Sequence, residues 1–367
     1  MDCAYFDAWR CRSCTLLETP YARQLAEQQA SVERMLSALA WEPPFASAVA
    51  GFRNKAKMAV AGTVDAPTLG ILAADGSGID LQACPLHERP IQDAMPVLEA
   101  LVREARLTPY DVPSRRGELK HLLLTASPDG ELALRLVLRS SEAIARIRKR
   151  LAALLGALPL ASVSVNLQPA HKAVLEGDEE LVLHGGTLRM RVNDVPLRLK
   201  PRSFFQTNTA VAAGLYRQAT AWIDEVDPAS ALDLYCGVGG FALHAARPGR
   251  RMAGVEVAAE AIDAAHESAA ELGLDVAFSV GDATAVDLET GAAPELVVVN
   301  PPRRGIGPLA ARLEASAARH VVYSSCNPVT LARDLQAMPS LVPVRGRVFD
   351  MFPHTGHAEV LVHLERR

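Results

Sequence analysis

Four of the six cysteines, Cys3, Cys11, Cys14 and Cys84, fall in the N-terminal half of the chain. Four thiolates can hold a tetrahedral zinc ion or a [4Fe–4S] cluster, and a set with three members close together and the fourth far along does not choose between them. The other two cysteines sit in separate motifs. Asp233-Leu-Tyr-Cys-Gly-Val-Gly-Gly-Phe241 reads as a strand that breaks into a glycine turn, where glycines let the backbone approach a ligand closely. The next strand, Met252 to Glu256, ends in a carboxylate able to accept both hydroxyls of a ribose, so an adenosine-type cofactor follows. The glycine pattern by itself admits a nicotinamide cofactor or S-adenosylmethionine. Further on, the two prolines after Asn300 restrict it to extended geometry and hold it toward the ligand. Cys326 stands on a polar strand-to-helix turn, where the N-terminus of the helix starting near Val329 would favour a nucleophilic thiolate.

These groups need elements to carry them. The 367 residues, 49% hydrophobic and 22% charged, exclude disorder and repeat architectures and argue for two domains. The first half reads as α+β. Helical spacing covers Tyr21 to Leu39, Leu98 to Leu107 and Ser141 to Leu155, and strand patterns cover Lys57 to Ala61, His121 to Thr125, Leu132 to Leu138 and Ser162 to Asn166. Thr187 to Lys200 alternates as a hairpin turning at Asn193-Asp194. Beyond it, short apolar strands at 232–235, 252–256, 276–280, 296–299 and 320–324 alternate with helices, which implies a mainly parallel, doubly wound α/β sheet. The expected division is 1–200 and 201–367. No run of 18 apolar residues and no secretory leader pattern occurs, so a cytoplasmic protein without membrane contact is expected, with thiols kept reduced.

Taken together, Asp233-Leu-Tyr-Cys-Gly-Val-Gly-Gly-Phe, Asn300-Pro-Pro-Arg-Arg-Gly, Ser325-Cys-Asn-Pro and Phe349-Asp-Met-Phe-Pro-His-Thr-Gly-His-Ala-Glu359 resemble the RNA uracil-C5 methyltransferases. Ser203-Phe-Phe-Gln-Thr-Asn208 and Gly51-Phe-Arg-Asn-Lys-Ala-Lys57 extend the resemblance upstream. It implies a class I, Rossmann-like S-adenosylmethionine-dependent methyltransferase domain, preceded by an α+β domain with an iron–sulfur region. Cys326 would be the nucleophile that adds to uracil C6, and Glu359 the general base that removes the C5 proton. Gln206, Tyr235, Glu256 and Asn300 would contact S-adenosylmethionine, with His354 and His357 either assisting or structural. Cys3, Cys11, Cys14 and Cys84 would carry a [4Fe–4S] cluster, because the rRNA-modifying members of the family have such ligands and its tRNA-modifying branch lacks them. Asn300, where most of the family has Asp, resembles the branch acting on uracil 747 of 23S ribosomal RNA. The first ligand at residue 3 agrees, since it leaves no room for the N-terminal RNA-binding barrel of the other rRNA branch.

A 23S rRNA partner fits the charge once it is resolved along the chain. The net charge is −4, yet residues 251–300 hold ten acids and one base, whereas residues 101–150 hold eleven bases and six acids. An extruded uracil requires a grip on the flanking phosphates. Candidates are Arg53, Lys55 and Lys57, then Arg115, Arg116 and Lys120, then Arg146, Arg148, Lys149 and Arg150, with Phe52 and Phe205 either stacking on bases or packing in the core. Nothing requires more than a monomer. The competing readings are a nicotinamide-linked iron–sulfur oxidoreductase, a uracil-C5 methyltransferase of another rRNA position or of tRNA, and a catalytically silent RNA-binding module.

Overall fold

The computed structural model describes residues 1–36, 39–171, 175–288 and 293–367. The chain clusters into two compact units, Met1–Ser13 with Ala50–Met190 and Cys14–Val49 with Arg191–Arg367. This departs from a division at residue 200, because the stretch Cys14–Val49 belongs to the second unit. The hairpin Leu188–Val192 and Val195–Leu199 carries the chain from the first unit into the second, with Asn193 left-handed at its turn (φ 53°).

The first unit is built on a seven-stranded sheet. Its order is Gly78–Asp80, Pro67–Leu72, Lys55–Gly62, Leu119–Ala126, Leu132–Leu138, Leu160–Leu167, Glu179–Gly185. All neighbours are antiparallel except Leu132–Leu138 and Leu160–Leu167, which run parallel across the helix Ile144–Ala157. That crossover explains the apolar stretch from Leu151 to Leu167: a core helix runs into a core strand. The helix Arg89–Glu104 begins earlier than its apolar spacing suggests, because Pro90 suits the first helical turn. Its buried residues Ile91, Met95, Leu98 and Val102 recur at helical spacing and join a core with Leu122, Leu124, Leu134 and Leu136.

The second unit holds an eight-stranded sheet in the order Ala40–Trp41, Leu341–Phe349, Glu359–Arg366, His320–Ser325, Leu296–Val299, Ser230–Leu234, Arg251–Glu256, Val276–Val280. The last five of these strands are parallel, and Glu359–Arg366 lies antiparallel to both of its neighbours. Strand Leu296–Val299 is buried along its whole length, as expected of a strand covered on both faces. From Ser230–Leu234 the chain moves outward through Arg251–Glu256 and Val276–Val280, then returns to its other side at Leu296–Val299. The strand order therefore reverses between Leu234 and Val299, and the carboxyl ends there open the crevice in which such sheets bind ligands. The helix Tyr21–Met35 ends short of the sequence expectation, and Ser37 and Ala38 lie outside the described residues.

Candidate active site

At the switch point the strand Ser230–Leu234 ends in Tyr235, a non-glycine residue held left-handed at φ 61°, followed by Gly237 at 54° and Gly239 at 83°. A Cβ on Gly239 would stand 2.7 Å from the Phe278 ring, and one on Gly240 2.5 Å from the Tyr216 hydroxyl, so glycine is required at both for packing. Gly237 differs, since the space a Cβ would occupy is open. Both oxygens of Glu256 organise this loop: one accepts from Gly237 N at 3.3 Å, the other from Ala258 N at 3.0 Å. Asp233, fully buried, accepts from Ala242 N at 3.0 Å through Oδ2, while Oδ1 has no hydrogen-bond partner. Burial pushes its carboxyl up to about 8. The buried Oδ1 without a protein partner is a polar atom that a hydrogen-bonding ligand at this strand end would satisfy. Asn300 follows the adjacent strand, its N–H donating to Leu234 O, and Gln206 is buried in the segment before the helix Thr209–Val226.

The second half of the site forms where two loops join. Asn327 caps the helix Pro328–Gln336, its Oδ1 accepting from Val329 N at 3.2 Å, and its Nδ2 donates to Arg303 O at 3.1 Å. The turn holding Cys326 is thus fixed to the loop that follows Asn300. Buried Asp334 secures that loop from below, accepting from Ile306 N and from the Tyr323 hydroxyl, both at 2.8 Å. The expectation of a ready thiolate meets an opposing effect here. Burial, and after it the charge of Glu359, raise the Cys326 thiol above its ordinary value, and Arg303 offsets this only in part.

Glu359 is buried at the start of strand Glu359–Arg366 and accepts a hydrogen bond from Ser324 Oγ. Burial pushes its carboxyl up to about 7, and the Ser324 bond opposes that shift. His354 is structural. It is buried and left-handed (φ 66°), with Nε2 2.8 Å from Val49 O and Nδ1 3.3 Å from Gln24 Nε2. His357 lies at the surface, its Nδ1 3.4 Å from Arg303 Nη2.

The family model described as tRNA (Uracil-5-)-methyltransferase matches residues 283–367, and a general methyltransferase-domain model matches 231–300. The 23S rRNA (uracil(747)-C(5))-methyltransferase RlmC of Halothiobacillus neapolitanus is 50% identical, with 100% of both chains covered. The chain belongs to the RlmC family. RlmC of Escherichia coli K12 is 46% identical, again over 100% of both chains. Among solved structures, the tRNA (uracil-54, C5)-methyltransferase of Pyrococcus abyssi in complex with S-adenosyl-L-homocysteine aligns with a TM-score of 0.82 at 25% identity, covering 96% of this chain and 85% of that one. The uracil-C5 methyltransferase reading and the class I α/β fold are thereby borne out, and the oxidoreductase alternative finds no support.

What RlmC membership leaves to be read from this chain is the metal and RNA chemistry. In the first unit Cys3, Cys11 and Cys84 are partly buried free thiols; burial raises Cys84, the Leu86 backbone lowers it, and Cys3 and Cys11 act electrostatically to raise it. Arg53 opposes that rise, and its buried Nε, like the buried Nδ1 of His87, has no hydrogen-bond partner. Cys14, also partly buried, opens the first segment of the second unit. Among the described residues, His320, His363 and Glu365 form a group with ligand atoms within 4.8 Å of one another. Arg345 Nε donates to His363 Nδ1, however, so Nε2 carries the proton toward His320 Nδ1 at 3.2 Å, which is a hydrogen bond and a poor metal pair.

Of the basic candidates, Lys57, Arg115, Arg116, Arg148, Lys149 and Arg150 are exposed. Lys120 is buried, bonded to Gln168 and Ala170 O, with its ammonium 4.6 Å from the Tyr110 ring centre. Burial pushes partly buried Lys55 down to about 8. Phe52 and Phe205 are buried, which leaves them to packing, while Phe204 beside Gln206 is 71% exposed. No helix among the described residues is long and apolar enough to cross a membrane.

Proposed function

We propose that this chain methylates C5 of uracil 747 in 23S rRNA, with Cys326 as nucleophile and Glu359 as general base. The observation that carries this reading is full-length 50% identity to an RlmC enzyme together with a partly buried thiol and a buried carboxyl that sense each other at adjacent strand ends. S-adenosylmethionine supplies an electrophilic methyl group, with Gln206, Tyr235, Glu256 and Asn300 as its contacts.

Uracil C5 is too weak a nucleophile to take that methyl unaided. As Cys326 Sγ bonds to C6 and its thiol proton leaves to solvent, the C5–C6 double-bond electrons pass into an enolate, and C5 can then displace the methyl from sulfur. C5 now carries both methyl and hydrogen. Glu359 takes that proton, the C5–C6 double bond re-forms, and Cys326 leaves as thiolate. A carboxyl at about 7 suits this step, because its base form is available near neutrality and its conjugate acid is not so weak that it fails to release the proton afterwards.

Cys3, Cys11, Cys14 and Cys84 are proposed to hold a [4Fe–4S] cluster. Cys3 and Cys11, near enough to Cys84 to act on its charge, and the buried Arg53 Nε and His87 Nδ1 without partners are the features that favour a bound group there. Methyl transfer consumes no electrons, so its role would be structural or RNA-orienting. We also take the enzyme to be a cytoplasmic monomer whose exposed Lys57, Arg115, Arg116 and Arg148 meet rRNA phosphates. The test is incubation of 23S rRNA lacking the modification with tritiated S-adenosylmethionine. Label should map to uracil 747 and disappear with Cys326→Ala; label at another nucleotide, or transfer that survives the substitution, would overturn the assignment.

A further inference from the structure

The sheet register places Ser324 opposite Leu361, so Glu359 is its diagonal neighbour two residues along the antiparallel strand. Residues so related share one face of the sheet. Ser324 is completely buried, and the partner of its Oγ is Glu359 Oε1. Tyr323, one residue earlier, points its hydroxyl at Asp334 instead, as alternation along the strand requires. Neither composition nor any glycine or cysteine motif calls for a hydroxyl at position 324.

We infer that Ser324 is a positioning residue for the proton-abstraction step: its hydroxyl donates to Glu359 Oε1, fixes the carboxyl's orientation and leaves Oε2 to take the C5 proton. This rests on Glu359 being the base. A serine donor bonds to the carboxylate more strongly than to the neutral acid, so it favours the proton-accepting form against burial. The other groups facing Glu359 do not do this. Cys326 from the adjoining turn and Tyr216 from the helix Thr209–Val226 both feel its charge, but neither hydrogen-bonds to it, whereas Ser324 does. On the remaining neighbouring strand the residue paired with Glu359 is apolar Phe349.

The experiment compares wild type with Ser324→Ala, Ser324→Thr, Ser324→Cys and Glu359→Gln on rRNA carrying hydrogen or deuterium at C5 of the target uridine. For Ser324→Ala, kcat should fall roughly tenfold or more with KM for RNA unchanged, the strength of a hydrogen bond to a charged group. The acid limb of the kcat–pH profile should move to higher pH, and the C5 isotope effect should grow as proton removal becomes slower. Ser324→Thr should restore all three, and Ser324→Ala placed on Glu359→Gln should add nothing. Ser324→Cys, which keeps the volume and weakens the donor, should fall between and serves if the alanine variant does not fold. An unchanged pH limb and isotope effect in Ser324→Ala or Ser324→Cys, with Glu359→Gln impaired, overturns this inference alone. Full turnover by Glu359→Gln overturns the base assignment, and this inference with it.

Discussion

Asn327 Nδ2 donates to Arg303 O at 3.1 Å, so one side chain ties the turn bearing Cys326 to the loop that follows Asn300. The same side chain caps the helix beyond it through Oδ1. Asn327→Ser should keep the cap and lose the tie, whereas Asn327→Ala loses both. We expect kcat to drop in each variant, by up to about 100-fold if the thiol is displaced by an ångström. Only Asn327→Ala should also lose roughly 1 kcal/mol of stability. Steady-state kinetics beside thermal unfolding separates the two effects.

The pH dependence follows from the directions of two shifts. Glu359 acts as a base, so kcat should rise with pH through about 7, where its carboxyl ionises. Cys326 is raised above its ordinary value, so thiolate available for addition keeps increasing into the alkaline range. The kcat/KM profile should therefore climb without a plateau at neutrality. For stability the sign is opposite: a carboxyl raised in the folded state binds its proton more tightly there than in the unfolded chain. Its contribution is full below about pH 4.5 and is lost as pH rises through about 7. A kcat/KM plateau already at pH 6 would contradict the raised thiol.

Removing the base should stall turnover after methyl transfer. With Glu359→Gln, C5 keeps its proton, Cys326 cannot be expelled, and a covalent RNA–protein band should accumulate on a denaturing gel. Turnover should fall by about 10²- to 10⁴-fold, the usual worth of a positioned general base. Cys326→Ala should show no such band.

Two packing variants test the frame behind the site. Gly240→Ala brings a methyl to 2.5 Å from the Tyr216 hydroxyl and should cost about 1–3 kcal/mol. Tyr323→Phe removes one of the donors to buried Asp334 and should cost about 1–3 kcal/mol, leaving the Ile306 bond in place. Denaturant unfolding reads both.

The anaerobically purified protein should show broad visible sulfur-to-iron absorption, lost on Cys84→Ser. Colourless protein with stoichiometric zinc would replace the cluster with a tetrahedral metal.

The order of motifs by itself determined the catalytic half of this protein. A glycine turn after a strand, a carboxylate ending the next strand and a Pro-Pro turn are local consequences of backbone sterics, so Gly237, Glu256 and Asn300 could be placed without coordinates. So could the parallel strands, whose apolar run at 296–299 and apolar centre at Val321 to Tyr323 fit burial on both faces. What lay outside its reach was anything set by register or by desolvation. Ser324 meets Glu359 only because two strands pair antiparallel in one register, and the same serine one residue away would face the opposite side. Cys326 sits at a helix N-terminus, which argued for a thiolate, yet burial and a neighbouring carboxylate push its thiol up. The assignment of Cys14–Val49 to the catalytic unit is likewise a tertiary result. Strand Ala40–Trp41 has only two residues, too few for a pattern, and gains its place by pairing with Leu341–Phe349, three hundred residues later in the chain.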